Sequence, residues 1–213
     1  MTWFEKFLDW LFKALGFVPT SGGMETTPVD SEAIIRLLKE LEGSSQGAYR
    51  DVGGLWTVGV GHLIKDNDVN LRKVGILTTD KAMVRLVDYQ IDQLLLLDLE
   101  DMKASIASVI KNKVDKHQLD MILSLIFNIG PTQFRDSTMS KLLHGSGTAA
   151  EVGDQFLRWN KVNSKMIPGL TIRRVAEATI YRGLKSIPLE YSKMLAAKHL
   201  KRAQQLVDVY YGN

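Results

Sequence analysis

The strongest constraint on the fold is an abrupt change of pattern within residues 31–65. SEAIIRLLKELEG repeats apolar residues at helical spacing, with Asp30 or Ser31 as a candidate cap and Gly43 as the expected stop. Two extended runs follow, separated by the turn signal Gly53-Gly54, and the second run, LWTVGVG, alternates as a β-strand does. A helix that leads directly into a glycine-rich hairpin predicts a small α+β lobe.

The chain from Thr78 onward is predicted to be helical. TTDKAMVRLVDYQIDQLLLLDLEDM opens with capping residues near Thr79 and is long enough to join two lobes. DKHQLDMILSLIFNIG predicts the central helix of a second lobe, and three shorter helical segments and a last helix over about residues 192–210 follow. The expected architecture is α+β and bilobed: a small lobe with a hairpin, a long connecting helix and a helical C-terminal lobe.

Residues 1–18 form a pattern of their own. They predict an amphipathic helix with a wide aromatic face, and Glu5, Lys6, Asp9 and Lys13 interrupt the apolar residues. These charges argue against a cleavable signal peptide and against a membrane span. The helix could lie at a membrane surface or dock on the protein body or on a partner protein, and the segment PTSGG after it is expected to be a linker.

Composition excludes several classes of chemistry. The absence of cysteine rules out disulfides and thiolate metal sites, and the four histidines show no metal-ligand spacing. The sequence holds no P-loop, dinucleotide fingerprint or Gly-x-Ser-x-Gly motif. We therefore expect neither a metal nor a cofactor.

The net charge is +3, and residues 172–213 hold eight Lys/Arg against three Asp/Glu. That end could attract a polyanion or be an ordinary solvated surface.

Three polar residues in the helix–hairpin segment suggest acid–base chemistry. Glu42 ends the helix, where the negative end of the macrodipole disfavours its charged form, and a carboxylic acid that stays protonated is what a general acid needs. Asp51 precedes the Gly-Gly turn and Thr57 follows it, so a carboxylate and a hydroxyl could together hold a water. Inverting glycoside hydrolysis needs this division between an acid and a water-activating base.

A simpler interpretation is also open, because Glu, Asp and Thr are common surface residues and their spacing can arise by chance. His62 is expected to be a structural histidine rather than a base or a ligand. The glycines Gly59 and Gly61 leave room for a ligand to approach the backbone.

Glu42, Asp51 and Thr57, followed by VGVGHLI, resemble the phage-type lysozyme (endolysin) family, whose members are muramidases. The similarity continues through LIFNIGPTQFRDSTM and RWNKV…IPGLTIRRVAEATIY and covers about residues 31–184. The resemblance implies a lysozyme-like fold in which the helix near Thr79 could permit hinge opening. Glu42 would be the general acid, and Asp51 with Thr57 would position or activate the water.

The resemblance also implies the walls of a saccharide cleft. Tyr49, Gly61 and Leu63 would line the near wall, and the far wall would be lined by Phe127, Asn128, Ser137 and Thr138. The substrate would be the β-1,4 bond between N-acetylmuramic acid and N-acetylglucosamine in peptidoglycan. The acidic partner of His62 is open between Asp88 and Asp92.

The resemblance further suggests how the chain is organised and used. Residues 1–23 would be the amphipathic helix and linker, 24–184 the catalytic domain and 185–213 a C-terminal helical extension. We expect a monomeric lytic enzyme with no nucleic-acid partner. It would accumulate in the host cytoplasm until release to the periplasm and cell wall, or it would be carried in a virion. Two alternatives are a lytic transglycosylase, which needs only the acid, and a protein that acts through its N-terminal helix at a membrane or on a partner.

Overall fold

A computed structural model describes residues 31–111 and 114–212. The predicted helix at residues 1–18 lies outside this range. The elements before the long helix are, in chain order, α1 (Ser31–Glu42), β1 (Ser45–Arg50), β2 (Trp56–Gly59), β3 (His62–Leu63), α2 (Val69–Lys73) and a 3₁₀ turn (Lys81–Met83). The long helix α3 (Asp88–Ile106) then leads to the helical lobe.

The helical lobe is built around α4 (Lys116–Ile129). The elements that follow it are α5 (Pro131–Arg135), α6 (Thr138–His144), α7 (Ala149–Phe156), β4 (Lys161–Val162), β5 (Lys165–Met166), α8 (Pro168–Tyr181), α9 (Leu189–Ser192) and α10 (Ala197–Tyr211). This architecture confirms the predicted α+β class and the order of small lobe, long helix and helical lobe. None of the helices in the two described ranges is long and apolar enough to cross a membrane.

The junction between α1 and the sheet forms as the sequence predicts. Ile34, Leu37 and Leu38 are buried on the inner face of α1. Gly43 ends the helix with a φ of +73° and donates its N–H to the Lys39 carbonyl at 2.9 Å. The chain then enters an antiparallel sheet of order β1-β2-β3.

The long helix α3 begins nine residues later than the predicted start near Thr79. Asp80 caps the short 3₁₀ turn by accepting the N–H of Ala82, and the chain is then extended up to α3. This stretch runs beside β1: Ala48 donates to the Val84 carbonyl at 3.0 Å, and Leu86 donates to the Gln46 carbonyl at 2.7 Å. Tertiary pairing with the sheet therefore overrides the helical pattern here.

The C-terminal helices also differ from the prediction in detail. One predicted helix, PTQFRDSTMSKLLHG, is divided into α5 and α6, because Ser137 caps α6 by accepting the Ser140 N–H at 3.0 Å. The last helix begins at Ala197 instead of near Ser192.

The last helix, α10, lies against both α1 and α8. Its residues Ala203, Leu206, Val207 and Tyr210 are buried. Arg36 of α1 donates to the Tyr210 carbonyl at 3.1 Å. The helix therefore supports the two elements that bear the charged site described below.

Candidate active site

Glu42 lies where α1 ends, and its side chain is 27% exposed. Its Oε1 accepts a hydrogen bond from Arg173 Nη1 of α8 at 2.5 Å. The guanidinium is nearly buried, so an internal cation holds a partly solvated acid. The glycine stop at the end of α1 and the packing of α8 together fix this position.

Arg173 is one member of a buried charged cluster that also contains Arg174, Glu177 and Ser124. Arg173 Nε donates to Glu177 Oε1 at 2.9 Å, and its Nη2 donates to the Ser124 carbonyl at 3.0 Å. Ser124 Oγ donates to Glu177 Oε1 at 2.7 Å. Arg174 donates to Glu177 Oε2 and to the Asn128 side-chain oxygen. The cluster therefore runs from Glu42 to Asn128.

The titration behaviour of the cluster follows from its charges. Burial favours neutral Glu177, but the guanidiniums of Arg174 and Arg173 outweigh it and hold the pKa of Glu177 below its ordinary value. Burial likewise opposes the charge of Arg173, yet Glu177 and Glu42 raise its pKa above the ordinary value. The pKa of Arg174 is lowered by burial, despite its contact with Glu177. Glu177 is thus held as a carboxylate by the pair of arginines.

Tyr49, Thr57 and Leu63 form one row across the sheet. Tyr49 pairs with Thr57, and Thr57 pairs with Leu63, so directly opposed side chains project from the same face. Tyr49 and Leu63 are each 40% exposed and flank Thr57, which is 4% exposed. The structure therefore brings together three of the residues predicted to form the near wall and the catalytic site.

Asp51 is held by the turn that it begins. Its Oδ1 accepts the N–H of Gly53 at 2.9 Å and of Leu55 at 2.8 Å. Thr57 Oγ1 donates to the carbonyl of the same Leu55 at 3.3 Å. Asp51 and Thr57 thus both bond to the backbone of Leu55, Asp51 to its N–H and Thr57 to its carbonyl. These bonds fix their relative position even though the two side chains do not bond to each other.

Gly61 and Phe127 bring the two lobes together. Gly61 has a φ of +72°, and a Cβ built on it would lie 3.8 Å from Cε1 of Phe127 at the end of α4. A side chain at position 61 would therefore occupy space directly beside the far lobe. Phe127 is half-buried and packs against the core.

The other predicted far-wall residues lie around the ends of α4 and α6. Asn128 is exposed, and its side-chain oxygen is occupied by Arg174. Ser137 is buried and uses its hydroxyl to cap α6, whereas Thr138 is exposed at the first residue of that helix. Binding of saccharide by these three residues stays a prediction.

His62 is a buried structural histidine, as expected, but its predicted partners are wrong. Nδ1 contacts Asp98 at 2.8 Å and Nε2 contacts Asp68 at 3.0 Å. The helix α3 begins at Asp88, and the residue of this helix that contacts His62 is Asp98, ten residues after its start. Asp88 accepts instead from Gln46 at 3.0 Å, and Asp92 pairs with Lys39. Burial opposes the charge on His62, but hydrogen bonds and charge from Asp98 and then Asp68 raise its pKa.

The arginine–glutamate cluster is the part of the site that the sequence analysis missed. Its signal is the run IRRVAE, in which Arg173 and Glu177 are four residues apart and lie on the same helix face. An ion pair at this spacing is common on exposed helix surfaces. Only the packing of α8 against α4, α7 and α10 makes it internal. Among residues 31–111 and 114–212, no group of His, Asp and Glu side chains is arranged to bind a metal.

Known proteins share this fold and this site segment. The "Phage lysozyme" family model matches residues 39–177, which include Glu42, Asp51, Thr57 and the arginine–glutamate cluster. The chain belongs to the phage lysozyme family. An endolysin of Acyrthosiphon pisum secondary endosymbiont phage 1 is 35% identical over 158 residues, covering 71% of this chain and 96% of the relative.

Two further proteins are similar to this chain. A SAR-endolysin of Enterobacteria phage P21 is 32% identical over 140 residues, covering 66% of this chain and 76% of the relative. A crystal structure of a P22 lysozyme variant superposes with a TM-score of 0.60 at 29% identity, covering 73% of this chain and 99% of that structure. The present chain is therefore a lysozyme-type glycoside hydrolase, and its family implies peptidoglycan as the substrate.

Proposed function

We propose that this phage lysozyme is an endolysin that lyses host cells by hydrolysing the β-1,4 bond between N-acetylmuramic acid and N-acetylglucosamine. Glu42 donates a proton to the leaving glycosidic oxygen, and Asp51 with Thr57 positions and activates the attacking water. The observation that carries the proposal is Glu42 itself. It is a partly exposed carboxylate at the junction of the two lobes, held at 2.5 Å by a buried guanidinium.

The placement of Asp51 and Thr57 supports the second half of the proposal. The N–H groups of Gly53 and Leu55 occupy Asp51 Oδ1, so the turn orients the carboxylate without neutralising it. The Thr57 hydroxyl can accept a hydrogen bond from a water while donating to the Leu55 carbonyl. A transglycosylase would have no need for this pair, because the sugar's own hydroxyl replaces water.

Saccharide binding is assigned to both walls of the cleft. The exposed side chains of Tyr49 and Leu63 flank Thr57 on the near lobe, and Gly61 leaves open space beside Phe127. Asn128 and Thr138 are exposed on the far lobe, whereas Ser137 would have to act from a buried capping position.

The experiment is the loss of peptidoglycan turbidity for Glu42→Gln and for the matched control Glu40→Gln. Glu40 lies on the same helix and pairs with Arg202 on the surface, so the control makes the same chemical change away from Arg173. We expect Glu42→Gln to reduce the rate about 10²–10⁴-fold, the range that general acid catalysis contributes. Glu40→Gln should stay near wild type. Full activity of folded Glu42→Gln would contradict the assignment.

We further propose that the enzyme acts as a monomer, without nucleic acid, and accumulates in the host cytoplasm before release to the periplasm and cell wall. Its similarity to proteins named SAR-endolysins supports release to the periplasm. Residues 1–23 would attach to a membrane surface or a partner protein, 24–184 would be catalytic, and 185–213 would extend this domain. Co-sedimentation of the full chain with anionic vesicles, compared with a chain that starts at Met24, tests the membrane version.

A further inference from the structure

We propose that Glu177 is a positioning residue for the reaction: it offsets the charge of Arg173 and Arg174, so that Glu42 can hold the proton that it must donate. The inference rests on the proposed role of Glu42 as general acid. Glu177 itself is 1% exposed and lies behind Arg173, so it reaches the substrate only through its neighbours.

The geometry makes Glu177 the hub of the cluster. Its Oε1 accepts from Ser124 Oγ at 2.7 Å and from Arg173 Nε at 2.9 Å, and its Oε2 accepts from Arg174. Arg173 uses its remaining edge for Glu42 at 2.5 Å. The guanidinium that holds the acid is therefore shared between two carboxylates.

The charges of the cluster balance one another. Along the chain of contacts Glu42, Arg173, Glu177 and Arg174, the charges alternate in sign and their sum is zero. Lys39 and Glu40, the charged residues that precede Glu42 on α1, form their own pairs with Asp92 and Arg202.

Removing the charge of Glu177 would leave two adjacent buried guanidiniums facing a single carboxylate, Glu42. The charged form of that carboxylate would be strongly favoured, and a general acid that cannot hold its proton is inactive at neutral pH.

The same carboxylate also orients the far wall. Arg174 contacts Glu177 with one nitrogen and the Asn128 side-chain oxygen with another. Its Nε donates to the Trp159 carbonyl at 3.1 Å. Loss of Glu177 should therefore loosen Asn128 as well, which would raise KM in addition to changing the pH dependence.

The test is the pH profile of kcat/KM on purified peptidoglycan for Glu177→Gln. We expect the alkaline limb to move at least about one pH unit lower, because the net positive charge beside Glu42 increases by one. The acidic limb should not move. Glu190→Gln is the control, since Glu190 pairs with Arg182 on the surface and loses the same charge. Its profile should match wild type.

The double variant Glu177→Gln/Arg174→Gln separates charge balance from a purely structural role. It restores the net charge beside Glu42, so the alkaline limb should return toward the wild-type position although KM stays high. A structural role predicts the reverse: the double variant would be further impaired, with no return of the limb. Unshifted limbs in a folded Glu177→Gln protein would overturn the inference.

Arg174→Gln alone covers the case in which Glu177→Gln does not fold. It leaves Arg173 as the single guanidinium that contacts Glu177, so the net positive charge beside Glu42 falls by one. The alkaline limb should therefore move to higher pH, and an unmoved limb would again overturn the inference. Glu42→Gln in the same assay keeps the two proposals distinct. Activity of that variant contradicts the proposed function, whereas an inactive Glu42→Gln with unshifted profiles contradicts only the role of Glu177.

Discussion

Glu42 and Asp51 are both carboxylates of the proposed reaction, but different groups hold them. A buried guanidinium from the distant helix α8 contacts Glu42, whereas the backbone of its own turn binds Asp51. The first arrangement depends on long-range packing, and the second is local to the hairpin. The two residues can therefore be tested independently.

Asp51→Asn should remove the base without removing the turn. An asparagine side-chain oxygen can still accept the N–H groups of Gly53 and Leu55, so the thermal midpoint should change little. The loss of the carboxylate charge should lower kcat by at least about 100-fold, in the range that a general base contributes. Steady-state kinetics on purified peptidoglycan provide the measurement. A variant with wild-type kcat would exclude Asp51 from the chemistry.

His62 should make stability depend on pH. Its pKa is raised above 6.5 in the folded protein, so its contribution is fully present below about pH 6.5 and is lost as pH rises through the folded-state value. The lowered pKa of Asp68 acts in the opposite direction: burial opposes the shift, while the N–H groups of Leu71 and Lys65 and contact with His62 cause it. That contribution is lost as pH falls through the folded-state value.

Urea unfolding of His62→Gln and wild type from pH 5 to 9 measures the histidine's contribution. The difference in free energy of unfolding should be about 3–5 kcal/mol near pH 5.5 and should shrink towards pH 9. His144→Gln, an exposed histidine at the end of α6, is the control and should show no such trend. A pH-independent difference for His62→Gln would exclude the ion-pair account.

At the same scale, sequence predicts residue types better than partners. Glu42, Asp51 and Thr57 stand out because their spacing lies within one short segment. Arg173 does not, because its partner Glu42 is 131 residues away in the sequence and only the tertiary fold brings the two together. The late start of α3 places Asp98, instead of Asp88 or Asp92, beside His62. The second partner, Asp68, caps α2, and the position of that short helix is set by tertiary packing.

Among the elements, the glycine-rich hairpin offers a matched pair of positions. Gly54 and Gly61 have similar positive φ angles of +76° and +72°, but only Gly61 faces another side chain, that of Phe127. Replacement of either glycine by alanine should cost about 1–2 kcal/mol of stability, because an L-residue is strained in this conformation.

Only Gly61→Ala should raise KM, because its methyl group would enter the proposed saccharide cleft. Chemical unfolding and steady-state kinetics of both alanine variants test this difference. Equal KM values for the two variants would remove Gly61 from the substrate wall.

Element boundaries were predictable where their signals are local. Gly43 ends α1 at the predicted residue because a glycine with positive φ is sufficient to stop a helix. The start of α3 was not predictable in the same way, since residues 84–86 bond to β1 instead of continuing a helical pattern. Likewise, the role of α10 as a support for α1 and α8 depends on contacts between elements distant in sequence.

At the scale of the whole molecule, the site depends on a charged contact between residues 131 positions apart in the sequence. Glu42 ends α1, which packs against α10 and α4, whereas Arg173, Arg174 and Glu177 belong to α8. The cluster extends to Asn128 on the proposed far wall. Packing of the helical lobe therefore positions both the acid and part of the substrate wall, while the sheet positions the water-activating pair.

The most direct test of hydrolysis is mass spectrometry of the muropeptides released from purified peptidoglycan in ¹⁸O-labelled water. Water held by Asp51 and Thr57 should add one ¹⁸O to a reducing N-acetylmuramic acid end. The account predicts labelled reducing ends from the wild type and none above background from Glu42→Gln. Unlabelled anhydromuramic ends from the wild type would contradict hydrolysis, and labelled reducing N-acetylglucosamine ends would contradict the assigned bond.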